Sequence, residues 1–172
     1  MKGVPLLLFF FLLVGCAQQE IPFEVSEMKL ESPAFANGGN IPLKYGCDGQ
    51  DVSPALRISA APNGTKSFAL VLDDPDSPSG KFVHWVLWNI PAGTTSIAEG
   101  ASPGTSGKNN FGRSGYGGPC PPPGPAHNYR FTVYALDSML NLSAGSTKEQ
   151  LDAAMQGHIL GQAELRGRYG RG

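Results

Sequence analysis

Three aspartates, two histidines and one glycine-rich loop are the residues of this chain best suited to chemistry. Asp73, Asp74 and Asp76 sit in Asp73-Asp74-Pro75-Asp76-Ser77-Pro78-Ser79-Gly80, an acidic corner stiffened by two prolines, whose X-Pro bonds are candidates for the cis isomer. His84 follows that corner closely. Gly117, Gly118 and His127 belong to a long irregular stretch from Asn109 to Tyr129, too dense in glycine and proline to run as a helix. Glycines there let backbone N–H groups approach a ligand, and a concave set of such donors suits an anion. His127, where the loop ends, adds a second donor. Two histidines and an aspartate also fit a metal site with open positions, which would permit metal-assisted hydrolysis. Ser77 or Ser114 with a histidine and an aspartate supplies the parts of an acyl-transfer triad, but neither serine lies in a nucleophile-elbow pattern. The plainer readings are a solvated acidic turn, a hydrogen-bonded core histidine and a Pro-rich linker. Phe111, Tyr116, Cys120 and His127 inside the loop argue against a linker.

These groups need strands to hold them. Phe68-Ala69-Leu70-Val71-Leu72 is a continuous apolar run, which predicts a strand covered on both faces. It empties into the acidic corner. Phe82 to Ile90 predicts its hairpin partner, with His84 on the face of Val86 and Trp88 by simple alternation. Such a hairpin brings the aspartates and His84 together. Tyr129, Phe131, Val133 and Ala135 alternate with polar residues as a strand leaving the long loop. Phe23, Val25, Met28 and Leu30 predict a first strand with a bulge, and Ile41, Leu43 and Tyr45 another short one. Ser146 or Thr147 caps the one good helix, with a stripe of Leu151, Ala154 and Met155 and a stop at Gly157. Ala163, Leu165 and Tyr169 alternate with charged residues, as in a strand at a sheet edge.

The chain has 172 residues, enough for one sizeable core. Its 23 glycines and 15 prolines, with only 16% charged residues, indicate a loop-rich β protein rather than a helical bundle. A net charge of −1 argues against a nucleic-acid footprint. Lys2 and the apolar run Val4 to Val14 read as a signal segment, too short for a comfortable bilayer span. The run ends Leu13-Val14-Gly15-Cys16, which matches the lipobox pattern in which the signal is cut before a cysteine that then carries lipid. This divides the chain into a signal peptide (1–15), a lipidated tether (16–22) and a folded domain (23–172), extracytoplasmic and lipid-anchored at Cys16 to the cell membrane. Cys47 and Cys120 then remain. An exported domain permits a disulfide between them, and two separately buried thiols are the alternative.

Several motifs occur together and in order: the acidic corner, His84-Trp85-Val86 with Asn89-Ile90-Pro91, Phe111-Gly112 through Tyr116-Gly117-Gly118-Pro119-Cys120-Pro121-Pro122, and His127-Asn128-Tyr129. With Tyr45-Gly46-Cys47-Asp48-Gly49 and Ser53-Pro54, they resemble the phosphatidylethanolamine-binding protein family, in its bacterial and archaeal Raf-kinase-inhibitor-like branch. The resemblance spans Phe23 to Arg171. It implies an all-β fold, an antiparallel Greek-key β-sandwich with a few peripheral short helices. It also implies a pocket for small anions such as phosphate, acetate or a phospholipid head group, lined by Asp74, Asp76, His84, Gly118, Pro119, His127 and Tyr129. In that pocket the two imidazoles and the Gly118 N–H would donate to the anion, and Asp74 would orient a histidine, so binding should strengthen as the histidines charge. The implied role is a non-enzymatic binding protein without cofactor, acting as an inhibitor or modulator of a partner kinase or protease. Metal-assisted hydrolysis by the two histidines and an aspartate is the alternative. Two positions depart from the family pattern. Ile58 stands where a tryptophan is usual, which would loosen a wall near the pocket, and Asn128 replaces a commonly basic residue at its rim.

Overall fold

Strands with no polar face must be covered on both sides, and the run from Phe68 to Leu72 dictates a layered molecule. A computed structural model of the chain describes residues 27–171. In chain order these form β1 (Lys29–Glu31), β2 (Leu56–Ser59), β3 (Ser67–Asp74), β4 (Phe82–Pro91), β5 (Ser96–Ile97), β6 (Thr105–Ser106), β7 (His127–Leu136), α1 (Lys148–Met155) and β8 (Ile159–Tyr169). The signal segment, Cys16 and the tether, and Phe23 and Val25 of the expected first strand all lie outside the described residues.

The strands make two antiparallel sheets, β1-β2-β5 and β6-β4-β3-β7-β8. Within the larger sheet β7 returns beside β3 to give the order β7-β3-β4-β6, a Greek-key arrangement. The main core lies between the sheets. Leu30, Leu56, Ile58 and Ile97 of the small sheet face Leu70, Leu72, Trp85, Leu87, Phe131, Val133 and Leu165 of the large one. A second cluster covers the opposite face of the large sheet, where Ala69, Val71, Val86 and Trp88 meet Leu151 and Met155 of α1. This explains why β3 is buried along its whole length. α1 carries a full capping box between Thr147 and Gln150.

Three local expectations are corrected. Leu43–Tyr45 is a 3-10 turn rather than a strand, since the short apolar alternation is overridden by the turn that brings Cys47 inward. No cis peptide bond occurs among the described residues, so the prolines of the acidic corner are trans. Ile58 packs in the inter-sheet core and does not border the pocket described below, so its replacement of a tryptophan loosens no pocket wall.

The acidic corner is stitched to the first residues of β7. Asp73 lies opposite Arg130 in the ladder and receives both its Nε, at 3.0 Å, and its Nη2, at 2.9 Å. Asp73 is 2% exposed, so this pair is a structural clamp rather than a ligand group. That pairing holds the Arg130 guanidinium above its usual range. Removing the arginine leaves a buried carboxylate with only Lys81, at 3.8 Å, nearby. Arg130→Ala is therefore expected to cost about 3 kcal/mol in urea unfolding. Arg166→Ala, which breaks an exposed pair with Glu164, is expected to cost less than about 1 kcal/mol. Equal losses in the two variants would contradict this assignment.

Candidate functional site

His84 is placed by a β-bulge. Between Leu72↔Trp85 and Asp73↔Val83 the register of β3 and β4 shifts, leaving His84 as the extra residue. Simple alternation puts His84 with Val86 and Trp88; the bulge turns it away. Val83 instead joins the cluster of Val86 and Trp88, while the His84 ring meets Tyr129 edge-to-face at 5.2 Å, on the inter-sheet side. Re-aiming one side chain is what a bulge beside a site does.

The ring is 2% exposed and its Nδ1 lies 2.8 Å from Gly117 O and 3.0 Å from Gly118 O. Carbonyl oxygens only accept, so Nδ1 carries the proton. Nε2 makes no hydrogen bond among the described residues. Burial pushes the His84 pKa below its ordinary value, against the smaller opposing effects of the two carbonyls and of Asp74 and Asp51.

His127 opens β7 beside the corner. Its Nδ1 donates to Asp74 Oδ2 at 2.8 Å, and the other Asp74 oxygen accepts the Asp76 N–H at 2.9 Å. Asp74 thus orients the imidazole, as the sequence suggested. Asp74, His84 and His127 border one cavity of about 200 Å³. Its other walls are Ser77, Pro78 and Ser79 of the corner, Phe82 and Phe111, and Cys120, Pro121 and Pro122 of the long loop. Phe111 caps it edge-on, 5.3 Å from the His84 ring and 4.8 Å from Phe82. A larger depression of about 390 Å³ lies along β1 and β8, with neither histidine in it.

Not every expected residue reaches this cavity. Asp76 turns to the other side of the corner, where it accepts the Asn128 N–H at 2.8 Å and its Nδ2 at 2.7 Å. Those bonds hold its carboxyl below the usual range. Asn128 is thereby part of a separate depression with Asp76, Tyr129, Arg130 and Arg166, not of the histidine cavity's rim. The Gly118 N–H, expected to face a ligand, is donated to Asp51 Oδ1 at 2.6 Å. Pro119 is buried and its carbonyl accepts from the Cys47 N–H, so Pro121 and Pro122 form the wall instead. Tyr129 is fully buried behind the histidines. Its hydroxyl sits beside the Asp74 carboxylate without a well-formed hydrogen bond, and burial pushes its ionisation far above the ordinary phenol value.

The loop is held from outside the site. Cys47 and Cys120 form a disulfide, settling the pairing that sequence left open. Closing a loop of sequence separation 73 contributes about 4 kcal/mol on the chain-entropy account. Tyr116 donates to Tyr45 O at 2.7 Å, and Asp51 also receives Arg113 at 2.7 Å. Glycine is required where these segments cross. A Cβ on Gly118 would lie 2.3 Å from Tyr45 O, and one on Gly46 would lie 2.2 Å from the Tyr169 ring. Sequence reasoning missed Asp51, a lone carboxylate far along the chain from the loop it holds. It also missed Phe82 as a wall, because a strand aromatic reads as core.

Among the described residues no three His, Cys, Asp or Glu side chains group as metal ligands. Both Asp74 oxygens and the Nδ1 atoms of both histidines are already engaged. Ser77 Oγ lies 3.0 Å from Ser79 Oγ. Such an arrangement can hold a small polar group between two imidazole Nε2 edges, two hydroxyls and an aromatic rim.

The depressed pKa of His84 has a consequence for stability. The unfolded chain takes up a proton on this histidine near pH ~6.5, and the folded chain only at lower pH. Its stabilising contribution is full above that pH and is lost as the pH falls below it. Thermal unfolding from pH 7.5 to 5 is expected to show a steeper fall for the native chain than for His84→Asn; parallel curves would contradict it.

A family model described as phosphatidylethanolamine-binding protein matches residues 31–170. A UPF0098 protein of Pyrococcus abyssi is 45% identical over 178 aligned residues, covering 98% of this chain and 97% of that protein. One from Methanothermobacter thermautotrophicus is 47% identical over 152 residues, covering 84% and 100%. Among solved structures, a phosphatidylethanolamine-binding protein homolog from Chlamydia trachomatis superposes with a TM-score of 0.81 at 43% identity, covering 85% of this chain and 99% of that one. E. coli YbcL, described as a member of the mammalian family of the same name, gives 0.80 at 30% identity, covering 86% and 100%.

Proposed function

Because the chain belongs to the phosphatidylethanolamine-binding protein family, we propose that the cavity between Asp74, His84 and His127 binds a small anion, a phosphate or phosphorylated head group, and that the protein acts by binding rather than by catalysis. One observation carries this reading. Two imidazoles, one of them oriented by a carboxylate, border a single cavity of about 200 Å³. That is smaller than the roughly 300–1,000 Å³ of pockets for drug-sized ligands. With the proton of each neutral imidazole held on Nδ1, the Ser77–Ser79 hydroxyl pair is the donor available to an anion, and His127 and His84 donate from Nε2 only once their rings carry a second proton. Metal-assisted hydrolysis has less support, because among the described residues no three His, Cys, Asp or Glu side chains group as metal ligands and both Asp74 oxygens already accept hydrogen bonds. Modulation of a partner kinase or protease is the wider role the family suggests. Phe111, 43% exposed at the cavity rim, is the feature that supports a protein contact beside the ligand. The lipobox at Cys16 supports display of the domain on a membrane face outside the cytoplasm.

Phosphate titrated calorimetrically into the purified domain is expected to bind, more tightly as the pH falls from 7.5 to 5.5. His127→Ala should weaken that binding at least tenfold while circular dichroism stays native; an unchanged affinity would count against a direct role. For the tether, full-length Cys16→Ser expressed in a bacterial host is expected to leave the detergent-extractable membrane fraction. Its retention there would refute lipid anchoring at this residue.

A further inference from the structure

The cavity holds two histidines but no fixed cation, since none of the residues bordering it is lysine or arginine. Arg113 lies over the Phe111 ring, 5.6 Å from its centroid, but its guanidinium is paired with Asp51. Asp74, at 3% exposure, adds a negative charge to the wall. A fully ionised dianion therefore finds few donors and an adjacent carboxylate.

His84 sharpens the point. The carbonyls of Gly117 and Gly118 converge on Nδ1 at 2.8 and 3.0 Å, so the single proton of the neutral ring is held there. Nε2 then presents a lone pair, and a lone pair asks the ligand for a hydrogen. We propose that His84 Nε2 is the specificity-determining acceptor of this cavity, and that it selects an oxyanion that brings its own O–H, a monoprotonated phosphoryl group, over a sulfate of the same shape. This deepens the anion-pocket reading above and rests on it.

Phosphoryl monoesters keep their last proton to about pH 6, and a bound acceptor extends that range. Sulfate carries no proton at either pH of the test below. Discrimination of this kind is large, because a buried acceptor left without a donor loses the hydrogen bond it made to water. The charged and titratable groups around the His84 ring are Asp74 from β3, Asp51 from the segment before β2, and His127 and Tyr129 from β7. The two carboxylates favour a charged ring and burial opposes it, with burial the stronger. At low enough pH the ring gains its second proton. Nε2 then donates, and the preference against sulfate should narrow.

Four probes test this by calorimetry at pH 6.5 and at pH 5: inorganic phosphate, inorganic sulfate, methyl phosphate and methyl sulfate. The methyl pair separates charge from proton at pH 5, where both are monoanions and only the phosphate has a hydrogen to give. At pH 6.5 each phosphoryl probe is expected to bind at least tenfold more tightly than its sulfur counterpart, and the methyl pair is expected to show the same preference at pH 5. The tighter of phosphate and methyl phosphate identifies a free ion or an esterified head group as the natural source. Binding without discrimination overturns the proposal and leaves the anion pocket standing. Failure of all four probes to bind overturns the anion pocket and this proposal with it. Nitrogen NMR of the native chain reads the tautomer without substituting a buried residue. A protonated Nδ1 and bare Nε2 at pH 7.5 are expected, and the reverse tautomer overturns the proposal.

Discussion

A buried ring N–H without an acceptor costs about 1–3 kcal/mol, and His84 escapes that cost because two consecutive loop carbonyls converge on its Nδ1. The site depends on this junction between β4 and the long loop. The carbonyls can face inward because the next amide, Gly118 N–H, is turned outward to Asp51. That turn is possible because Gly118 has no Cβ to strike Tyr45 O. The disulfide to Cys47 and the Tyr116 hydroxyl on Tyr45 O hold the loop against the 3-10 turn. Cys120, Pro121 and Pro122, which follow directly, become a cavity wall only while that attachment holds. A loop poor in regular structure is made rigid by cross-links, not by a ladder.

The acidic corner divides its labour among three carboxylates that look alike in sequence. Asp73 clamps Arg130, Asp74 orients His127 and Asp76 receives Asn128. All three partners open β7, so the corner and the end of the loop are fixed to each other at successive points. Only Asp74 turns toward the cavity. The other two keep the hairpin tip and the strand entry in register, and so hold His127 within reach of His84. Stability and recognition thus share one segment but use separate side chains.

Much of the architecture was legible. Unbroken apolar runs marked the doubly covered β3 and β4, alternation marked β7 and β8, and the Thr147–Gln150 pair marked α1. The meeting of the acidic corner and His84 was legible in the hairpin, whereas His127 was expected beside them only from the family resemblance, since no local pattern said that β7 returns beside β3. Leu43–Tyr45 misled because three alternating residues are too few to distinguish a strand from a turn. Gly118 misled for a different reason: its type announces an available amide, but nothing local says which group will take that amide.

Sequence alone, then, determined which runs are buried, that β3 and β4 form a hairpin and which few side chains are rare enough to matter, since hydrophobic patterning and turn chemistry act over neighbouring residues. Tertiary structure alone decided where those side chains point. The single extra residue at His84 reverses its face, and a change of one position in a register leaves no trace in composition or periodicity. The carbonyls that choose its tautomer, and the Asp51 that frees them, come from segments distant in the chain, so their effect exists only once the chain has folded back on itself.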